Sequence, residues 1–304
     1  MNQTAAAAAK PTASPTLIWT ALGAVYLIWG STYLAIRFTV ATMPPFLSAA
    51  ARFIVSGAFL YFWRRAAGDP KPTKVEYRNA VIIGIFLLVG GNGGVVWAAQ
   101  YIPSSLSALL VATVPLWMLL FDAVRPAGER PNFKTFSGIL IGFCGAALLI
   151  GWTAGGATAN SFHGALAVVI ASFLWAIGSI YGKTSQLPAS PLVTTGIEML
   201  AGGIVQIFVA ALFGEFGDFN LAAITSKSML ALLYLTVIGP IAFVAYAWLL
   251  RNAPIPLVAT YSYVNPLVAI LLGYFLGHEI LTTRILLAAA LIIGSVVLVS
   301  SKQR

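Results

Sequence analysis

Three ionisable residues stand inside or at the end of long apolar stretches: Arg52, Glu198 and Asp122. Hydrocarbon makes such groups expensive, so each marks a functional position by default. Arg52 can snorkel outward, pair with backbone carbonyls or meet a substrate carboxylate. Glu198, the one carboxylate well inside a stretch, can bind an ammonium group, carry a coupling proton or sit hydrogen-bonded in a vestibule. Asp122 lies near a stretch end and is expected to be solvated. Aromatic residues supply a second chemistry. Trp29, Tyr33, Trp97, Tyr101, Trp175, Tyr181, Tyr246, Trp248, Tyr261 and Tyr263 offer faces for stacking and for ammonium contacts worth ~0.5–2 kcal/mol each. Trp97, Tyr101, Tyr181 and Trp248 stand close to stretch ends, where an interfacial belt is the competing reading. Tyr33, Trp175, Tyr246, Tyr261 and Tyr263 lie deeper and, with Trp29, are the candidate substrate-binding aromatics. Asn92 and Asn265 add amides, although Asn265 beside Pro266 can equally cap a freed carbonyl. The two histidines, His163 and His278, fall in loops, and no zinc-protease motif or P-loop occurs. No metal site, catalytic residue or cofactor is expected, and ATP-driven work would need a separate subunit.

These residues need elements to hold them, and composition dictates which. Of 304 residues, 60% are apolar and 8% charged, against about 25% charged in a soluble domain. Mean hydropathy is +0.92. So few charges cannot cover a soluble surface, which excludes water-soluble enzymes, nucleic-acid binders and disordered scaffolds. Apolar runs cover about 17–36, 46–63, 79–99, 105–123, 135–153, 164–181, 191–213, 229–250, 256–276 and 284–300. A crossing takes about 20 apolar residues, so the sequence predicts an all-α membrane protein of ten spanning helices. Residues 1–16 read as a cytoplasmic tail leading directly into the first span, not as a cleaved signal peptide, and 301–304 as a second tail. Cys144 lies within the fifth span and has no partner for an intramolecular disulfide.

The net charge of +9 records topology. With the N-terminus inside, thirteen lysines and arginines fall on the inner side and only Arg37, Lys227 and Arg284 on the outer. This places both termini in the cytoplasm and leaves the basic balance with no nucleic-acid partner to explain. The expected partners are membrane lipid and a small-molecule substrate; the sequence leaves oligomeric state open.

The chain also repeats itself. Trp29-Gly30-Ser31-Thr32-Tyr33 is echoed by Trp175-Ala176-Ile177-Gly178-Ser179-Ile180-Tyr181, and Pro45 by Pro191, at a spacing of 146. Trp97 through Pro103 matches Trp248 through Pro254, and Pro115 matches Pro266, at 151. Gly128-Glu129 precedes the fifth span as Gly277-His278-Glu279 precedes the tenth, with His278 as an interruption. The repeats, 17–154 and 164–300, hold five helices each, so the second enters the membrane inverted, a recurring build of secondary transporters. Arg52 and Glu198 are equivalent positions, each ~10 Å deep but from opposite faces, and no direct ion pair between them is expected. Gly90-Gly91-Asn92-Gly93-Gly94 and Gly239-Pro240 interrupt equivalent spans; matched breaks of this kind point to a binding site between the halves. Gly90, Gly91, Gly93, Gly94, Gly239, Pro240, Pro115 and Pro266 are the candidate hinges. Gly138, Gly142 and Gly145 read as packing positions.

On Trp29-Gly30-Ser31, Arg52-Phe53, the paired prolines and the Gly-Glu elements, the chain resembles the drug/metabolite transporter superfamily and its EamA-type ten-helix exporters. Within these it is most similar to the YddG-like amino-acid exporters. The resemblance implies a basket-shaped bundle with a central cavity, working by alternating access in the inner membrane, and outward export. The expected cargo is a small amphipathic metabolite, in first place amino acids including aromatic ones. A cation-multidrug efflux pump is the alternative, and a membrane-embedded enzyme a remote one. A phosphate-sugar antiporter would want a basic pair where only Arg52 is available.

Overall fold

The computed structural model describes residues 14–124, 133–156, 159–253, 255–258 and 260–300. Its elements are α1 (Pro15–Val40), α2 (Pro45–Ala66), α3 (Lys74–Gly84, a π-helical segment Ile85–Asn92, then Gly93–Ala98), α4 (Ser104–Val111 and Val114–Val124), α5 (Phe133–Gly156), α6 (Ala159–Thr184), α7 (Pro191–Leu212), α8 (Ser226–Val237 and Gly239–Asn252), α9 (Ile255–Val258 and Tyr261–Phe275) and α10 (Thr283–Ser300). Among the described residues, seven helices are long and apolar enough to cross a membrane: α1 to α4 and α6 to α8. Three shorter apolar helices lie within α5, α9 and α10. Large apolar side chains such as Leu27, Phe59, Phe62, Phe208, Leu230 and Phe275 are exposed around the bundle. Lipid is the solvent that makes such a surface stable.

Most described helices reach beyond the apolar runs because polar flanks close them. The α3 start is a capping box: Thr73 N donates to Glu76 Oε2 at 2.7 Å, and Glu76 N to Thr73 Oγ1 at 3.2 Å. Pro15, Pro45 and Pro191 open α1, α2 and α7 where no N–H is needed.

The helix pairing repeats. Helix α2 lies along α7, and α5 along α10; α1 packs on α8 and α9, while α6 packs on α3 and α4. Exchanging each helix for its counterpart five places on leaves this pattern unchanged, so the two halves pack equivalently. Small residues permit the close contacts. A Cβ on Gly57 would stand 2.7 Å from Leu200 N, and one on Gly142 2.5 Å from Ser295 Oγ. Gly84 is the tightest case, with Glu198 O 2.4 Å and Glu198 Cα 2.8 Å from the position of a Cβ. Backbone cannot turn aside as a rotamer can. Gly84→Ala is therefore expected to destabilise by about 1–3 kcal/mol, whereas Gly23→Ala, which meets nothing within 4 Å, should be harmless. Thermal unfolding of both variants in detergent checks this; an unchanged Gly84→Ala midpoint would mean α3 and α7 can slide apart.

Two of the interruptions fall at the α3 glycine cluster and at Gly239-Pro240, and at each a side chain from another helix covers a backbone carbonyl. Pro240 has no N–H, so the Thr236 carbonyl four residues back loses its partner; Ser56 Oγ donates to it at 2.7 Å. The glycine cluster in α3 produces a π segment, a form concentrated at functional sites. There the buried Gln206 donates Nε2 to Leu88 O at 2.6 Å. At one end of the bundle, His278 takes φ 51°, the one non-glycine residue with positive φ among those described. It turns Glu279 onto the first turn of α4, beside Arg37 of α1. The inserted histidine is accommodated by this left-handed turn.

Candidate functional site

Trp29 and Trp175, equivalent residues of the two repeats, meet edge-to-face with centroids 5.7 Å apart at 88°. Phe243 stands 5.3 Å from Trp29 and 6.2 Å from Trp175, and Tyr261 packs on Trp29 at 5.4 Å. Tyr246 completes the cluster at 4.9 Å from Trp29 and 5.6 Å from Tyr261. Edge-to-face and tilted contacts of this kind set positive ring edges on negative faces. They hold the rings of four helices in one arrangement.

Beside this cluster opens a cavity of about 70 Å³, room for about five waters. Its wall takes Trp29, Thr32 and Tyr33 from α1, Arg52, Phe53 and Ser56 from α2, Gly91 and Asn92 from α3, Ala171, Ser172 and Trp175 from α6, Met199 from α7, Gly239, Pro240 and Phe243 from α8, and Tyr261 from α9. Both halves contribute, and both matched breaks reach the wall. Arg52 is 5% exposed. It donates Nη2 to Asn92 Oδ1, and its guanidinium carbon lies 4.4 Å from the centroid of the Phe53 ring. The wall hydroxyls Thr32, Ser56 and Ser172 donate to backbone carbonyls.

Half of the sequence-predicted site and hinge residues come together here: Trp29, Tyr33, Arg52, Asn92, Trp175 and Tyr261, with Gly91, Gly239 and Pro240. Others do not reach the wall. Tyr246 lies in a second layer behind Trp29 and Tyr261. Asn265 is 3% exposed; with its nitrogen turned toward Tyr26 and Tyr261, it donates to their carbonyls at 3.2 and 3.3 Å. Its amide is spent on carbonyls of the chain, neither of which is the Ser262 carbonyl that Pro266 frees. Glu198 is also off the wall, which its neighbour Met199 joins instead. The Arg251 guanidinium of α8 donates to Pro188 O, Ala189 O and Thr194 Oγ1 at 3.1, 3.0 and 3.3 Å. The side chain of Tyr263 lies outside the described residues.

Gly90 and Gly94 face α6: a Cβ would stand 2.7 Å from Leu174 Cδ1 or 2.9 Å from Ala171 Cβ. They serve close packing. Gly93 has ordinary contacts with Gln206 and Phe46. Pro115 follows the Ala112–Thr113 break of α4, where Thr113 and Ser172 hydroxyls cover Leu110 O, and Pro266 lies within the second part of α9. Sequence reasoning missed Phe243, Ser56 and Gln206. Phe243 follows Pro240 by three residues and Ser56 follows Arg52 by four, so helical spacing put each on the face of a residue already singled out. Gln206 is a lone amide in an apolar run, the same signal that marked Asn92.

Two stretches of the chain, 15–151 and 162–301, match the model of the EamA-like transporter family. The chain is 40% identical over 283 residues to the uncharacterized inner membrane transporter YedA of Escherichia coli (strain K12), covering 92% of this chain and 89% of that protein. It is 25% identical over 266 residues to an uncharacterized transporter of Archaeoglobus fulgidus, covering 85% and 88%. A crystal structure of a protein 21% identical superposes with a TM-score of 0.63 over 94% of this chain and 98% of the other, a likeness of fold. The two matched stretches together span most of the sequence, and the chain belongs to the EamA-like transporter family, within the drug/metabolite transporter superfamily.

Proposed function

We propose that this transporter exports small amphipathic metabolites, in first place amino acids including aromatic ones, across the inner membrane by alternating access. Both termini then lie in the cytoplasm, and repeats 17–154 and 164–300 rock against each other about the Gly/Pro breaks. One observation carries the reading: the cavity sits where the two halves meet, walled by Trp29 and Trp175 from equivalent positions and bounded by both matched breaks. A flat solute between these rings replaces their edge contacts with stacking. Rotation of one half then exposes it to the other side. Counter-flow in proteoliposomes, screened over amino acids with and without a pH gradient, tests it. Transport of aromatic amino acids is the expected result; transport of none would overturn the substrate class.

The position of Glu198 sharpens one expectation. Being off the wall argues against a contact with the solute's ammonium group and leaves a coupling proton or a hydrogen-bonded place in a vestibule. Glu198→Gln should change KM for an aromatic amino acid by no more than about twofold, whatever happens to the pH response. A tenfold rise in KM would place the carboxylate in the binding site. The alternative of a cation-multidrug pump has less support, since no Asp or Glu belongs to the cavity wall among the described residues.

A further inference from the structure

The polar groups of the cavity are unbalanced. Arg52 is its one charged wall residue among those described, and arginine stays protonated in proteins. Its Nη2 is used by Asn92, but Nε is buried with no acceptor, and Trp29 Nε1 is in the same state. Asn92 spends its carbonyl oxygen on Arg52, which leaves its NH₂ as the remaining donor. The wall hydroxyls of Thr32, Ser56 and Ser172 already give their protons to carbonyls of the chain, while the phenols of Tyr33 and Tyr261 add O–H groups to the wall. The site thus offers one buried cation and several donors, and lacks an anion. A buried guanidinium without a carboxylate is costly, and a solute that brings one removes that cost.

We propose that the cavity recognises its solute by a carboxylate, held by Arg52, Asn92 and the indole N–H of Trp29, while the aromatic wall takes the solute's ring. This deepens the transporter reading and rests on it. The recognised charge is then the carboxylate alone. The ammonium group of an amino acid finds no counter-ion on the wall, only the aromatic faces. Aromatic monocarboxylates without an amino group therefore belong to the substrate class, and arylalkylamines do not.

Three probes of one ring and chain length separate the charges: 3-phenylpropionate, phenylalanine and phenethylamine, titrated calorimetrically at pH 7 into the purified protein in detergent. 3-Phenylpropionate is expected to bind at least as tightly as phenylalanine, and phenethylamine at least about tenfold more weakly, the scale of a charge-assisted hydrogen bond. Arg52→Gln should erase the preference for carboxylate over amine, and Arg52→Lys should retain part of it. If Arg52→Gln does not fold, the wild-type ranking decides alone. Phenethylamine binding as well as 3-phenylpropionate would overturn the proposal, as would a preference unchanged in folded Arg52→Gln. Tight binding of phenylalanine with weak binding of 3-phenylpropionate would overturn this proposal and leave the amino-acid reading standing. Binding of none of the three would overturn both.

Discussion

Trp29→Ala is expected to lower stability by about 3–5 kcal/mol and transport of an aromatic solute at least about tenfold. Trp29 is 7% exposed and touches the rings of Trp175, Phe243, Tyr246 and Tyr261. Truncation removes the common member of every one of these contacts and leaves a void where α1, α6, α8 and α9 meet. Trp29→Phe keeps a ring in place and abandons no partner, because the indole N–H has no acceptor to lose. Its stability should fall by much less, while binding of a carboxylate loses one donor. The pair of variants thus separates packing from recognition. Thermal unfolding in detergent reads the first and counter-flow the second. If Trp29→Ala unfolded at the wild-type midpoint, the ring cluster would not hold the halves together. If Trp29→Phe transported normally while Trp29→Ala did not, the ring alone would matter.

How far this site could be read from the chain depends on what each residue's environment forbids. Trp29 and Trp175 were legible as a pair because a repeat fixes equivalence without any knowledge of packing. Arg52 was legible because a charge in an apolar run has few destinations. The side on which a residue faces was less so. Glu198 and Met199 are neighbours on one helix, and the fold turns Met199 to the cavity; depth along the helix says nothing of that rotation. Tyr246 and Tyr261 are both deep, yet only Tyr261 reaches the wall. Asn265 beside Pro266 had two uses that the sequence could not separate, and the fold gives it a third, on the carbonyls of Tyr26 and Tyr261. Helix ends ran past the hydropathy boundaries because capping is a matter of hydrogen bonds. Thr73-Lys74-Val75-Glu76 carries the capping-box pattern in plain sight, while hydropathy registers only its polarity. The π segment of α3 was signalled as an interruption, but its form depended on Gln206 from α7 covering Leu88 O, a long-range fact.

The second large effect is expected at Glu279, outside the helices. Its Oε1 accepts from Ser104 N and Ser104 Oγ at 2.7 and 2.6 Å, and its Oε2 from Ser105 N and Ser105 Oγ at 3.1 and 2.6 Å. These are the opening residues of α4, where a carboxylate also meets the positive end of the helix dipole. Arg37 Nη1 adds an ion pair at 2.5 Å, so one side chain ties α1, α4 and the α9–α10 connection together. Burial by itself raises the Glu279 pKa, but the four bonds from Ser104 and Ser105 outweigh it and hold the carboxyl below its usual value. Glu279→Ala strands those donors and should destabilise by about 3–5 kcal/mol. Arg37→Gln should cost about 1 kcal/mol or less, because the Arg37 side chain is 37% exposed and its charge is screened. The sign of the pH dependence follows from the lowered pKa. The contribution is fully present above about pH 4.3, the unfolded glutamate value, and is lost as pH falls through the lower folded value. Unfolding midpoints of wild type and Glu279→Gln should therefore differ by a constant amount from pH 7 to 5 and converge below pH 4. A gap that persisted at the most acidic pH, or one that opened as pH fell, would show that the ionised carboxylate is not what fastens α4.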